Sequence, residues 1–197
     1  DTALVEEALE TEARGHKFIK MIAPDRDDEG VKTLLALVRS SLSTDTHLAV
    51  DFFNSFPTVE RARTALEPLD NLGLDFIEDP FPSGHWRSYA ELSAHLHTPL
   101  AAGEDSVDSA EWNDLVELGG VDVVRVDATV GGGVSSILPL LGGGSGPRMI
   151  PHVFGQLHGH LSATGDVSRI EVITPESGAE PLSILGPLDV SVDSDGR

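Results

Sequence analysis

Cysteine is absent from the 197-residue chain, which excludes disulfides, thiolate metal sites and a cysteine nucleophile. Any bound metal must therefore be held by oxygen or imidazole. Positive charge is also scarce: 13 Lys and Arg face 33 Asp and Glu, for a formal net charge of -20. Such a surface repels nucleic acid and anionic membranes at long range, so neither is expected as a partner. No apolar run approaches the length of a membrane span. The cytoplasm is the expected location, although Asp1 is not an initiator and a removed leader would leave no trace. Glycine and proline are dispersed rather than gathered in a repeat, which argues against collagen-like or long disordered tracts. One globular domain is expected, with 40% hydrophobic content to build its core. Most of the acid excess reads as solvated surface.

Hydrophobic periodicity alternates between two types along the chain. Helical spacing marks Thr2 to Ala13, Glu29 to Ser41, Thr58 to Leu72, Ser88 to Leu96, Ser109 to Leu118 and Val134 to Leu141. Short β-rich runs occupy Lys17 to Ile22, His47 to Phe52, Leu74 to Ile77, Leu100 to Ala102, Val121 to Val126, Met149 to Val153 and Ser168 to Ile173. This alternation predicts right-handed crossovers and a parallel sheet covered on both faces. The runs are one short of a (β/α)8 TIM-type barrel. A helix comes first, so the missing strand is the first, and residues 1–197 are read as one barrel domain holding strands two to eight. A doubly wound open sheet is the rival, weakened by the absence of a glycine-rich phosphate loop in the first strand-to-helix turn. Residues 142–146, Gly-Gly-Gly-Ser-Gly, resemble a flexible linker. A natural loop, an engineered replacement and a shortened helix all fit them.

Three acids close successive hydrophobic strands: Asp51 in LAVDFF, Glu78 in DFIEDPF and Glu104 in LAAGED. One acid at a strand end commonly caps the next helix or is solvated. Three in register fit a different role, because strand C-termini in a parallel barrel converge on one face. Three hard oxygen ligands suit Mg2+, whereas zinc would be expected to recruit His or Cys. Asp79 and Asp105 follow two of these acids directly, and strand alternation turns them away from the ligand position.

Phe76-Ile77-Glu78-Asp79-Pro80, followed by Ala101-Ala102-Gly103-Glu104, resembles the paired metal-ligand strands of the enolase superfamily, in its mandelate racemase and muconate lactonizing enzyme group. Val126-Asp127 with Gly132-Gly133 resembles the sixth strand of that family, and Ile150-Pro151-His152 the seventh. The match runs through nearly the whole chain in order. It implies a dyad of Asp127 and His152, in which the carboxylate on one imidazole nitrogen fixes the tautomer and raises basicity. It also implies Lys20 on the second strand, facing the substrate carboxylate, and Glu171 on the eighth, donating a hydrogen bond to that carboxylate in a protonated state.

The chain departs from the family pattern at several places. The second lysine expected on the second strand is Ile22, which cannot transfer a proton, so a two-base racemase is disfavoured. Lys17 points to the opposite face and is read as a surface residue. Asn54 stands one place later than the asparagine usual after the strand-three aspartate. His158 and His160 fall in an expected helix and are read as structural or supporting groups rather than extra ligands.

What the resemblance implies is Mg-dependent removal of the proton beside a substrate carboxylate with stabilisation of the enediolate, with an acid-sugar dehydratase as the preferred activity. The partner is a small carboxylate substrate, and a homo-oligomer remains open. A racemase or cycloisomerase of the same superfamily is the enzymatic alternative. A non-catalytic or engineered barrel fragment that keeps the metal site is the rival from another class. The family's capping domain, made from an N-terminal segment and a C-terminal tail, has no expected counterpart here.

Overall fold

A computed structural model describes residues 1–140, 146–162, 167 and 169–171. Among these residues six parallel strands form one sheet in the order β1-β2-β3-β4-β5-β6. The strands are β1 (Phe18–Ile22), β2 (His47–Asp51), β3 (Ile77–Glu78), β4 (Leu100–Ala102), β5 (Val123–Val124) and β6 (Arg148–Met149). The helices are α1 (Thr2–Ala13), α2 (Asp28–Ser41), α3 (Val59–Leu66), α4 (Trp86–Ser93), α5 (Ser109–Glu117), α6 (Val134–Ile137) and α7 (Gly155–Ser162). The sheet curls into part of a barrel, an α/β architecture in which each strand pairs with its neighbour in sequence.

Local sequence explains where the helices start. The Asp27 carboxylate accepts from Gly30 N–H at 2.9 Å at the head of α2. The Asp108 carboxylate accepts from the Ala110 and Glu111 N–H groups at the head of α5. Both satisfy donors left open by the first helical turn. Along α2, Val31, Leu34, Leu35 and Val38 are buried in the i, i+3, i+4, i+7 pattern of one helix face. The expected helix over 58–72 is shorter: α3 stops at Leu66 and a 3-10 turn covers Glu67–Leu69, because Pro68 has no N–H to continue the ladder. The expected helix over 134–141 keeps its regular turns only to Ile137.

Several strands are shorter than their hydrophobic runs, yet the backbone ladder continues past their ends. Phe52 N–H donates to the Glu78 carbonyl at 2.9 Å, Asp79 N–H to Ala101 at 3.0 Å, and His152 N–H to Val126 at 2.9 Å. Of the expected strand at 168–173, residues 169–171 are described, and they form no regular strand. Within it, Glu171 N–H reaches the Pro151 carbonyl at 3.4 Å, beside the continuation of β6. Of the expected linker at 142–146, only Gly146 is described.

Two apolar layers result. Ile19, Leu48, Val50, Ile77 and Leu100 face outward beneath the helices. Ala49, Phe76, Ala101, Val123 and Ile150, with Phe18 against them, fill the inner side. Alternation then fixes the polar layer, because Lys20, Asp51, Glu78, Arg125 and His152 each lie two residues beyond an inner apolar residue. The burial of the inner apolar layer thereby aims all five side chains at one mouth.

Candidate active site

Asp51, Glu78 and Glu104 come from three adjacent strand ends, and each offers an oxygen within 4.8 Å of the others. Asp51 and Glu78 are buried, and Glu104 is half-buried. Asp51 Oδ1 accepts from Phe53 N–H at 2.8 Å, which fixes its orientation. Glu104 follows Gly103, whose φ of +122° suits glycine. A side chain at Gly103 would also crowd the Trp112 ring at 3.0 Å. Glu78 Oε2 and Glu104 Oε2 are buried oxygens without a well-angled hydrogen bond. Three carboxylates converging on one mouth fit a hard divalent cation.

Cationic groups hold this acidic cluster together. Lys20 Nζ lies 2.8 Å from Glu78 Oε2, 2.9 Å from Glu171 Oε1 and 3.3 Å from Asp51 Oδ2. Burial and Arg125 oppose charge on Lys20, but Glu78, Glu171 and Asp51 outweigh them and hold it protonated, above its ordinary range. Arg125 is 1% exposed. Its Nε donates to Glu78 Oε1 at 2.7 Å, its Nη1 to the Ile150 carbonyl at 2.9 Å, and its Nη2 to Glu171 Oε2.

The expectation that Glu171 is neutral and donates a hydrogen bond is therefore corrected. Burial pushes its carboxyl up, but Arg125 and Lys20 together bring it down to about 2. An ionised carboxylate has only acceptors. In Glu104 burial wins instead and pushes the carboxyl up to about 7, despite His152 beside it.

His152 and Asp127 meet across neighbouring strand ends, with Nδ1 3.1 Å from Oδ2. The other Asp127 oxygen accepts from both Thr129 N–H and Thr129 Oγ1 at 2.7 Å. Burial pushes the Asp127 carboxyl up, but the bonds to His152 and Thr129 bring it below its ordinary value. Burial likewise lowers the His152 imidazole, yet the Asp127 bond and the nearby Glu104 and Glu171 raise it overall. His152 Nε2 lies 3.3 Å from Glu104 Oε2, so the imidazole edge faces the carboxylate triad.

The sequence profile described as enolase C-terminal domain-like matches residues 3–167. The chain belongs to the enolase superfamily, in the mandelate racemase and muconate lactonizing enzyme group. It is 32% identical over 110 residues to a D-galactonate dehydratase of Ralstonia nicotianae, covering 55% of this chain and 28% of that protein. It is 31% identical over 137 residues to the L-talarate/galactarate dehydratase of Salmonella typhimurium, covering 68% of this chain and 34% of that protein. The L-talarate dehydratase of Polaromonas sp. JS666, complexed with Mg and L-glucarate, superposes with a TM-score of 0.85 at 23% identity. That superposition covers 98% of this chain and 53% of the other. The chain thus spans about a third or less of these two curated relatives.

Within this enolase-superfamily chain, Ile22 closes β1 with 65% exposure and has no ionisable group. Asp79 is buried with the Tyr89 hydroxyl 3.4 Å away, Asp105 is exposed, and neither is among the three acids whose oxygens converge. Asn54 takes a left-handed φ of +59°, donates its N–H to the Asp79 carbonyl at 2.7 Å and leaves Oδ1 buried without a partner. His160 is exposed, whereas His158 is fully buried. Sequence reasoning missed Arg125. The available signal was an arginine in the valine-rich strand Val123-Val124-Arg125-Val126, on the same face as Asp127 and two places before it.

No helix among the described residues is long and apolar enough to cross a membrane.

Proposed function

We propose that this chain is the catalytic barrel of a magnesium-dependent acid-sugar dehydratase, supplying strands two to eight of a (β/α)8 barrel. The observation that carries the proposal is the meeting of an imidazole-carboxylate dyad with a carboxylate triad, at 3.3 Å between His152 Nε2 and Glu104 Oε2. Asp51, Glu78 and Glu104 would hold Mg2+, which supplies positive charge to the substrate carboxylate as its neighbouring carbon loses a proton.

His152 takes that α-proton on Nε2, while Asp127 holds the Nδ1 proton and supports the imidazolium that forms. The protonated Lys20, 12% exposed at its side chain, is placed to contribute a second positive charge to the carboxylate end. The electron pair left on the α-carbon then expels the β-hydroxyl, and His152 returns its proton to the departing oxygen as water leaves. The enol product tautomerises to the 2-keto-3-deoxy acid. Ile22 supports elimination over racemisation, because no second base stands at that strand end. Arg125 and the ionised Glu171 hold the Glu78 carboxylate and Lys20 in place.

The test is to incubate the full-length gene product with Mg2+ and D-galactonate, galactarate or arabinonate and to follow 2-keto-3-deoxy acid formation. Turnover of one of these acids that stops on Mg2+ removal is expected. Racemised acid without dehydrated product would overturn the dehydratase assignment.

A further inference from the structure

His158 is a buried titratable group that the proposed chemistry leaves unused. It sits in α7 with 0% exposure. Its Nε2 accepts from Ala128 N–H at 3.1 Å, and its Nδ1 donates to the Val153 carbonyl at 2.7 Å. Ala128 directly follows Asp127 and Val153 directly follows His152, so one imidazole joins the peptides immediately beyond both dyad residues.

The backbone there needs such a tie. Val153 and Phe154 take φ of +36° and +45° in succession, a region that β-branched and aromatic residues rarely adopt. A conformation of this kind persists only when its surroundings over-determine it. Two groups of His158 do so here, because its backbone N–H also donates to the Phe154 carbonyl at 3.0 Å. The His158 and Phe154 rings meet at an interplanar angle of 72°.

The two imidazole contacts define one protonation state. A nitrogen that accepts from Ala128 N–H carries no proton, and a nitrogen facing a carbonyl must carry one. Asp127 Oδ1, 3.9 Å from Nε2, is left to the Thr129 donors. An imidazolium would place N–H against N–H at Ala128.

We propose that His158, held as the neutral Nδ1–H tautomer, is a positioning residue that sets the separation of Asp127 and His152. The proposal rests on the dyad assignment made above. It reaches beyond that assignment by placing the geometry of the dyad under the control of a residue that touches no reacting atom.

The test uses the full-length gene product labelled with 15N at histidine. Imidazole NMR is expected to show His158 protonated at Nδ1 alone. His158→Phe keeps the buried volume without donor or acceptor and should broaden or shift the His152 Nδ1 proton signal. His158→Gln retains one donor and one acceptor and should restore that signal. On galactarate with Mg2+, kcat should fall about 10- to 100-fold in His158→Phe with KM within about threefold, and His158→Gln should recover most of it. An Nε2–H tautomer or imidazolium would overturn the proposal, as would an unchanged His152 signal in a folded His158→Phe. Should galactarate not be turned over, the two NMR readouts still decide. His152→Asn, run in parallel, separates the failures: full turnover in that variant sinks the dyad assignment, whereas loss there with none in His158→Phe sinks only the positioning role.

Discussion

The His152 ring bridges two acids of opposite purpose, with Nδ1 3.1 Å from Asp127 Oδ2 and Nε2 3.3 Å from Glu104 Oε2. The first acid fixes which nitrogen carries a proton. The second belongs to the triad, so the remaining nitrogen faces the place where a substrate carboxylate would meet the metal. Replacing His152 by Asn should abolish exchange of the substrate α-proton while Mg2+ binding survives. Asp127→Asn should lower the rate by about 10²- to 10⁴-fold, because the imidazole loses its tautomer and part of its basicity. Deuterium uptake at the α-carbon and calorimetric Mg2+ titration are the measurements, and undiminished uptake in His152→Asn would refute the assignment.

Arg125 pairs with the carboxylates of Glu78 and Glu171, and deletion of its charge leaves Glu78 buried beside the other acids. Arg125→Met is expected to cost about 3–5 kcal/mol in urea unfolding, the range for removing one partner of a buried pair. Glu171→Gln should cost less, since Arg125 keeps its 2.7 Å bond to Glu78. Equal losses in the two variants would show that the Glu78 contact does not dominate.

Asp70 offers a pH test away from the triad. Its carboxylate accepts from Thr98 N–H and Thr98 Oγ1 at 2.7 Å and from His97 N–H at 2.9 Å, joining the end of the 3-10 turn to the approach of β4. Burial pushes the carboxyl up, but these bonds outweigh it and bring it from 3.8 to about 2. A depressed carboxyl contributes stability that is complete above its unfolded pKa and lost as pH falls through the folded one. The contribution is about 2 kcal/mol above pH ~5, fading between about pH 4 and pH 2. Asp70→Asn should therefore be less stable than the wild type at pH 7 and close to it near pH 2, read by denaturant midpoints across that range. A constant difference at every pH would contradict the linkage.

Gly131 sits four residues beyond Asp127, where an added Cβ would lie 2.1 Å from the Trp112 ring. Trp112 is 1% exposed and donates Nε1–H to the Gly103 carbonyl at 2.8 Å, so the ring cannot retreat without disturbing the turn before Glu104. Gly131→Ala should lose about 1–3 kcal/mol, the usual cost of overpacking. Gly131→Ala/Trp112→Phe should lose less than the sum of the two single variants, because the smaller ring frees the space. Strict additivity would show that the contact is not the cause.

The chain by itself determined the order of the elements and the residue types at the strand ends. Helical and extended periodicities differ in ways a single sequence displays, and a hard metal requires carboxylates wherever it is held, so Asp51, Glu78 and Glu104 were legible as candidates, while Asp127 and His152 entered through the family resemblance. Helix α3 was overextended because Pro68, four residues before the expected helix end at Leu72, was outvoted by the apolar pattern around it. Tertiary structure decided what those residues do to one another. Arg125 is 47 positions from Glu78 and 46 from Glu171, and His158 is 30 from Ala128. Only closure of parallel strands around one mouth brings such groups within hydrogen-bonding distance. Charge state followed from that closure: Glu171 is ionised because a guanidinium and an ammonium converge on it, although a carboxyl in an apolar setting would be neutral. Local sequence fixes the pleat and therefore which way a side chain points, but the field it meets is set by strands that the sequence holds far apart.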